Sequence, residues 1–167
     1  MQRRGRRRFA LALGLLPLVI GAAILIVGAP AASSSSPQIQ GRMLDITNVP
    51  CGSATGVCST FTATGDIKGE GLVFIDTFPA PTEQDPTKLI SKAHTIIKTK
   101  KGDLTCSELA IFDLVRPDHP FVDLCMITGG TGIYEGATGY IQEAGTFDFA
   151  ANRGQLEYTG RLERATS

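Results

Sequence analysis

Four cysteines and a pair of acids carry most of the chemistry this chain could perform. Cys51, Cys58, Cys106 and Cys125 are an even set, which in an oxidising compartment points to two disulfides. Three pairings are open, and the local one, Cys51–Cys58 with Cys106–Cys125, is the simplest. On a chain-entropy view its two loops would contribute roughly 2.5 and 3.3 kcal/mol. A metal site is not expected: the spacings match no common zinc pattern, and the chain has only two histidines. If Cys106 lies directly opposite Cys125 on neighbouring antiparallel strands, opposed residue numbers are fixed. Ala110 then faces Phe121, Phe112 faces His119, and Glu108 faces Asp123. Two carboxyls held together share a proton, which raises one pKa and makes a usable acid. Glu108 and Asp123 are therefore the candidate catalytic residues. Against this stands the other face of the same strands, with Leu109, Ile111, Val122, Leu124 and Met126. It is the better suited to an interior, so the two acids are expected to be wet or at an interface.

The remaining polar candidates carry less. His94 falls mid-strand and His119 in an Asp-His-Pro turn, where a histidine is expected to meet solvent. No Ser-His-Asp set can be assembled from spacing. Lys98, Lys100 and Lys101 mark a solvated loop tip.

The elements that must position these residues are strands. After residue 38 the chain alternates apolar and polar residues in short runs broken by Gly, Pro and Asp, with no sustained helical period. Strands are expected at 39–49, 57–64, 72–78, 92–99, 104–114, 121–128, 139–149 and 155–163. Thr64-Gly65-Asp66, Lys101-Gly102-Asp103 and Asn152-Arg153-Gly154 supply turns, and 79–88 a longer loop. Eight antiparallel strands with short turns suit an all-β, up-and-down barrel with no free edge, the alternative being a sandwich. The last strand has one dry face (Leu156, Tyr158, Gly160, Leu162) and one wet face. Strands 72–78 and 121–128 are apolar on both faces, which implies that part of the barrel's outside is buried by self-association.

The barrel is expected to be exported. Residues 2–8 hold five arginines and no acid, and Phe9–Ala29 is a 21-residue stretch without charge. Arginines stay in the cytoplasm, and the chain beyond the apolar stretch is translocated. Ala29-Pro30-Ala31 fits a cleavage site, but a helix of this length, about 31 Å at 1.5 Å per residue, would also serve as a retained anchor. Arg6-Arg7-Arg8-Phe9 resembles a twin-arginine signal, a plain basic leader being the simpler reading. Residues 1–31 are thus a signal peptide or anchor, 32–38 a polar linker, and 39–167 the domain. The product is expected to be secreted or held on the outer side of the membrane, which it touches only through this segment. Without residues 1–31 the net charge is −5, and no basic patch argues for nucleic acid.

Residues 127–149 contain Gly129-Gly130-Thr131-Gly132, then Tyr134, Gly136-Ala137 and Gly139, leading into a new strand. This stretch resembles the signature of the dirigent and allene oxide cyclase-like barrels. The residues have a structural reading: glycines allow positive φ and close backbone approach, Tyr134 plugs one end of the barrel, and Ala137 is small enough to lie against it. A dinucleotide loop is excluded by the glycine spacing and by the β-rich sequence after it. The resemblance implies a calycin-like barrel whose apolar cavity holds a reactive chain in one conformation, and a trimer with the outer face packed. It implies no cofactor. The relatives' functional residues do not map outside the glycine-rich motif.

Three functions are expected: an exported barrel holding a hydrophobic small molecule, a cyclase or isomerase using the same cavity plus one acid, and a structural or interaction protein whose barrel is self-filled. The volume inside, and whether an acid reaches it, discriminate among them.

Overall fold

The computed structural model describes residues 37–165. The export segment expected at 1–31, and the linker up to residue 36, lie outside the described residues. Among those residues no helix is long and apolar enough to cross a membrane.

Nine strands run in order: β1 (Gln38–Pro50), β2 (Val57–Gly65), β3 (Gly69–Ile75), β4 (Ala80–Pro81), β5 (Lys88–Thr99), β6 (Gly102–Asp113), β7 (Pro120–Gly130), β8 (Thr138–Asp148) and β9 (Arg153–Glu163). All pairings are antiparallel. β3 pairs with β5 and β9 returns to β1, so eight strands close into an up-and-down barrel. The two-residue β4 sits outside the ring, pairing with β5 at Leu89 and Ile90. All eight expected strands form. Asp45, in the left-handed region at φ 54°, marks a bulge where β1 shifts register against both neighbours.

The third strand starts and ends three residues earlier than its hydrophobic run suggested, covering Gly69–Ile75 in place of 72–78. Its glycines weaken the strand signal, yet Gly71 is required. A Cβ there would meet the Phe61 ring at 2.0 Å, so the glycine makes room for Phe61 on the inner face. Phe78 is left beyond the strand and 63% exposed.

One end of the barrel is filled. Ile67, Ile97, Leu104, Tyr134 and Leu162 are buried there, and the Tyr158 hydroxyl accepts from the Ile67 N–H and donates to the Thr64 carbonyl, both at 2.9 Å. The glycine-rich motif makes the closure. β7 runs into Thr131 and a 3-10 turn at Gly132–Tyr134. The turn folds onto the β5–β6 connection through Thr131 N–H to Asp103 O (2.8 Å) and Ile133 N–H to Lys101 O (3.0 Å). At Gly130 a Cβ would meet Asp103 O at 2.0 Å, and Gly132 adopts φ +59°. These two positions let the turn tuck Tyr134 inward to 4% exposure, with Ala137 buried beside it.

Both disulfides have the local pairing, Cys51–Cys58 and Cys106–Cys125. The register between β6 and β7 corrects the expectation drawn from the second. Glu108 faces Cys125, Ala110 faces Asp123 and Phe112 faces Phe121; Cys106 lies opposite Ile127, so Cys125 is its diagonal neighbour. The cysteines bridge at a Cα–Cα distance of 5.4 Å, well within what a disulfide spans, so the bond did not require a directly opposed pair. A bulge between Thr105 and Cys106 shifts the pairing again. Glu108 and Asp123 are thus diagonal, and Phe112 meets Phe121 and not His119.

Candidate functional site

The half of the barrel away from the glycine-rich turn holds a cavity of about 290 Å³. This is just short of the usual span of small-molecule sites, roughly 300–1,000 Å³, and suits a small ligand. Most of its wall is apolar: Met43, Ile46, Val73 and Leu156 contribute, and Phe61, Phe78, Phe112, Phe121, Phe147 and Phe149 supply six rings. Phe112 stacks on Phe121 at 5.1 Å between centroids, and Phe149 contacts both Phe112 (6.0 Å) and Phe147 (5.0 Å). The neutral polar groups of the wall are satisfied within the protein. Ser59 donates to Asn48 Oδ1 (2.6 Å), and Ser91 donates to the Thr77 carbonyl (3.0 Å).

Three acids break the apolar wall: Glu108, Asp123 and Glu143. Alternation along β6, β7 and β8 sends these side chains inward, and the register sets them in a row. Asp123 lies directly opposite Glu143, and Glu108 sits diagonally across from Asp123. Glu108 and Glu143 are buried, at 7% and 6% exposure. Asp123 Oδ1, Glu143 Oε1 and the nearby Thr95 Oγ1 are buried without a hydrogen-bond partner.

Burial is the main electrostatic fact. Loss of water pushes the Glu108 pKa up to about 8, the Asp123 charge adding to the rise; the Thr95 hydroxyl opposes it weakly, forming no hydrogen bond of good geometry. Burial also raises Asp123 to about 6, against the pull of the Leu124 and Leu109 backbone N–H groups. Glu143 is raised well above the ordinary range by burial first and by Glu108 and Asp123 second. The three groups titrate as one cluster that holds protons at neutral pH.

The expectation that Glu108 and Asp123 face outward is corrected: they face the cavity. The apolar set Leu109, Ile111, Val122, Leu124 and Met126 is on the outside, each between 38% and 54% exposed. Hydrophobic alternation assigns the greasier face to the inside, but here the inner face lines a cavity with a carboxyl floor. Glu143 was not singled out from the sequence. Its signal was available once β7 and β8 were paired, since it lies in the strand after the motif and opposite Asp123.

The histidines stand apart. His94 is on the outer face of β5, stacked on Phe74 at 4.7 Å and paired with Asp76 at 2.9 Å. His119 is half-buried in the β6–β7 turn against Phe149, its Nδ1 without a partner, and not the solvent-exposed side chain expected. Lys98, Lys100 and Lys101 are at the β5–β6 tip, Lys98 and Lys101 exposed and Lys100 exposed beside them. The sulfurs of Cys106 and Cys125 and a Glu108 oxygen lie within 4.8 Å of one another, a spacing a metal ion would accept. With both sulfurs in a disulfide, neither is a thiolate ligand, and the trio is a disulfide packed on a carboxyl. No family model matches the chain, and no curated protein matches it.

Proposed function

We propose that this protein is an exported barrel that holds a compact hydrophobic small molecule, its polar end directed at Glu108, Asp123 and Glu143. The observation that carries this is the cavity itself: an apolar space of about 290 Å³ whose acids lie at its wall and not in the packed end. A self-filled structural barrel is the weaker reading, because only the Tyr134 end is filled. The two disulfides are compatible with an extracellular protein.

One observation favours a second reading, that of a cyclase or isomerase. A carboxyl held protonated near pH 7 in a mostly apolar site is a general acid poised for a carbonyl or epoxide oxygen. In that reading Glu108 donates the proton, and Asp123, diagonal to it, raises its basicity. The resemblance of the Gly129–Gly139 stretch to the dirigent and allene oxide cyclase-like barrels supports the same chemistry. Self-association through the outer face of β6 and β7, as a trimer of this chain, completes the proposal. Its support is the contiguous exposed set from Leu109 to Met126.

Mass spectrometry of the protein from its native host, run native and then denatured, tests the reading. A small molecule released on denaturation, from a multimer lighter by four protons per chain, is the expected result. An empty monomer would make the self-filled reading the better one. Once a substrate is known, unchanged turnover in Glu108→Gln would end the acid assignment.

A further inference from the structure

The acid row and the aromatic wall share one cavity, and their charge does not balance. Among the described residues, no lysine, arginine or histidine lines that cavity. The other titratable groups near the row are few: the Tyr158 phenol on β9 lies opposite Glu143, Asp76 follows β3 and pairs with His94 outside while its charge is felt at Glu108, and His119 packs against Phe149 of the cavity wall. The inward residues of β1, β2 and β5 that approach it, Met43, Phe61, Ala93 and Thr95, carry no charge. The bases of β5 lie elsewhere: Lys92, His94 and Lys98 are exposed, and Lys88 pairs with Asp113 at 2.7 Å. Buried carboxyls are normally paired with a cation or a full set of donors, yet Asp123 Oδ1, Glu143 Oε1 and Thr95 Oγ1 have no partner.

We propose that the cavity takes an apolar amine, its ammonium group held by Glu108, Asp123 and Glu143 and its hydrocarbon part lying among the phenylalanines. The inference rests on the small-molecule reading above and names the chemical class of the ligand. An alkylammonium carries three N–H donors, which meets three inward carboxyls on adjacent strands. Phe61, Phe112, Phe121 and Phe147 line the same cavity, and an aromatic face turned to the ammonium would favour it by its quadrupole. A hard divalent ion fits less well: it needs six or more oxygens, and this wall supplies three carboxyls amid hydrocarbon. A neutral ligand would leave the carboxyls to share protons among themselves and use only one of them.

The geometry also sets the proton balance. The empty row holds the Glu108 and Glu143 protons at neutral pH, while Asp123, raised only to about 6, loses its own there. When R–NH₃⁺ enters below that pH, Asp123 releases its proton to solvent and the net charge of the cavity is unchanged; above it, the ammonium meets a carboxylate already formed. Amine affinity therefore rises with pH up to the Asp123 value and then levels off, whereas a neutral ligand accepting a hydrogen bond from a protonated acid binds more weakly as pH rises.

The test is isothermal titration calorimetry of the full chain, both disulfides formed, with octylamine and 1-octanol at pH 5.5, 6.5 and 7.5. The expected result is octylamine binding at least tenfold tighter than octanol at pH 7.5. Its affinity should strengthen from pH 5.5 to 6.5 and change less above, with most of a proton released per amine at pH 5.5 and little at pH 7.5, read from enthalpies in buffers of different ionisation heat. Glu143→Gln should cut amine affinity tenfold or more and shrink the preference for octylamine over octanol. Octanol binding as tightly as the amine, or amine affinity falling with pH, would overturn the amine assignment and leave the small-molecule reading standing. Binding of neither probe would overturn both. A Glu143→Gln protein that melts as a folded domain but keeps full amine preference would remove the acid row from the site.

Discussion

Replacing Glu108 by glutamine should make the protein more stable at neutral pH, the reverse of what loss of a buried charged residue usually does. In the native protein the Glu108 carboxyl keeps its proton up to about pH 8, while in the unfolded chain it loses it near 4.5. Between those values the native state binds more protons than the unfolded state, so stability falls as pH rises. From pH 4.5 to pH 7 the loss at this one group is about 3 kcal/mol, at ~1.4 kcal/mol per pH unit. Asp123 and Glu143, also raised, add to the slope in the same direction. The lowered carboxyls, Asp85 and Asp113, act with the opposite sign but only in acid below their ordinary values, outside this window. Glutamine has the shape of the protonated acid and cannot ionise. Thermal melts followed by circular dichroism at constant ionic strength should show Glu108→Gln and wild type close together at pH 4.5. At pH 7 the variant should lie on the order of 10 °C higher, given a few degrees per kcal/mol for a domain of this size. Equal melting temperatures at pH 7, or a wild type whose stability climbs between pH 5 and 8, would mean that the Glu108 carboxyl is not held protonated by the fold.

Other perturbations test the rest of the barrel. Gly71→Ala should cost about 1–3 kcal/mol in urea unfolding, since its methyl group would occupy the place of the Phe61 ring. Tyr158→Phe should cost about 2 kcal/mol, because it strands the Ile67 N–H and the Thr64 carbonyl at the filled end; a midpoint unchanged from wild type would deny that bridge any part in stability. Ala110→Phe, directed into the cavity, should abolish ligand release in mass spectrometry while the protein still folds cooperatively. The proposed oligomer predicts a multimer by light scattering that Leu124→Lys, on the outer face, converts to a monomer; a wild type already monomeric at micromolar concentration would remove the oligomer.

The ring was legible because alternation, turn chemistry and strand length all agreed along the chain, and the clean two-faced pattern of Leu156–Leu162 reappears in β9 without change. The glycine-rich stretch was legible as closure because glycine at positive φ and a buried tyrosine admit few other readings. Two features were not. Gly71 depresses strand signal in any local window, and its reason is a ring on another strand, Phe61. The orientation of Glu108 and Asp123 failed for a related cause: alternation shows which residues share a face, but only the content of the barrel decides which face is inside. The disulfide identified the neighbouring strands correctly and misled on register by two residues, because a diagonal pair bridges as readily as an opposed one.

The ring closes between the first and last strands, where Gln38 meets Arg161 and Met43 meets Leu156. A ribosome delivers β1 first of the barrel's strands and β9 last, so the pairing that completes the ring waits for β9. Until then β1 and β8 each present a bare row of N–H and C=O groups, the template on which chains pair with the wrong partner. The Cys51–Cys58 loop can close during that wait, because both of its cysteines emerge early; Cys106–Cys125 needs only β6 and β7 and closes next. Oxidation in the order of emergence would fix both halves of the ring before β9 arrives to bridge those edges, and loss of β9 would leave them open for good.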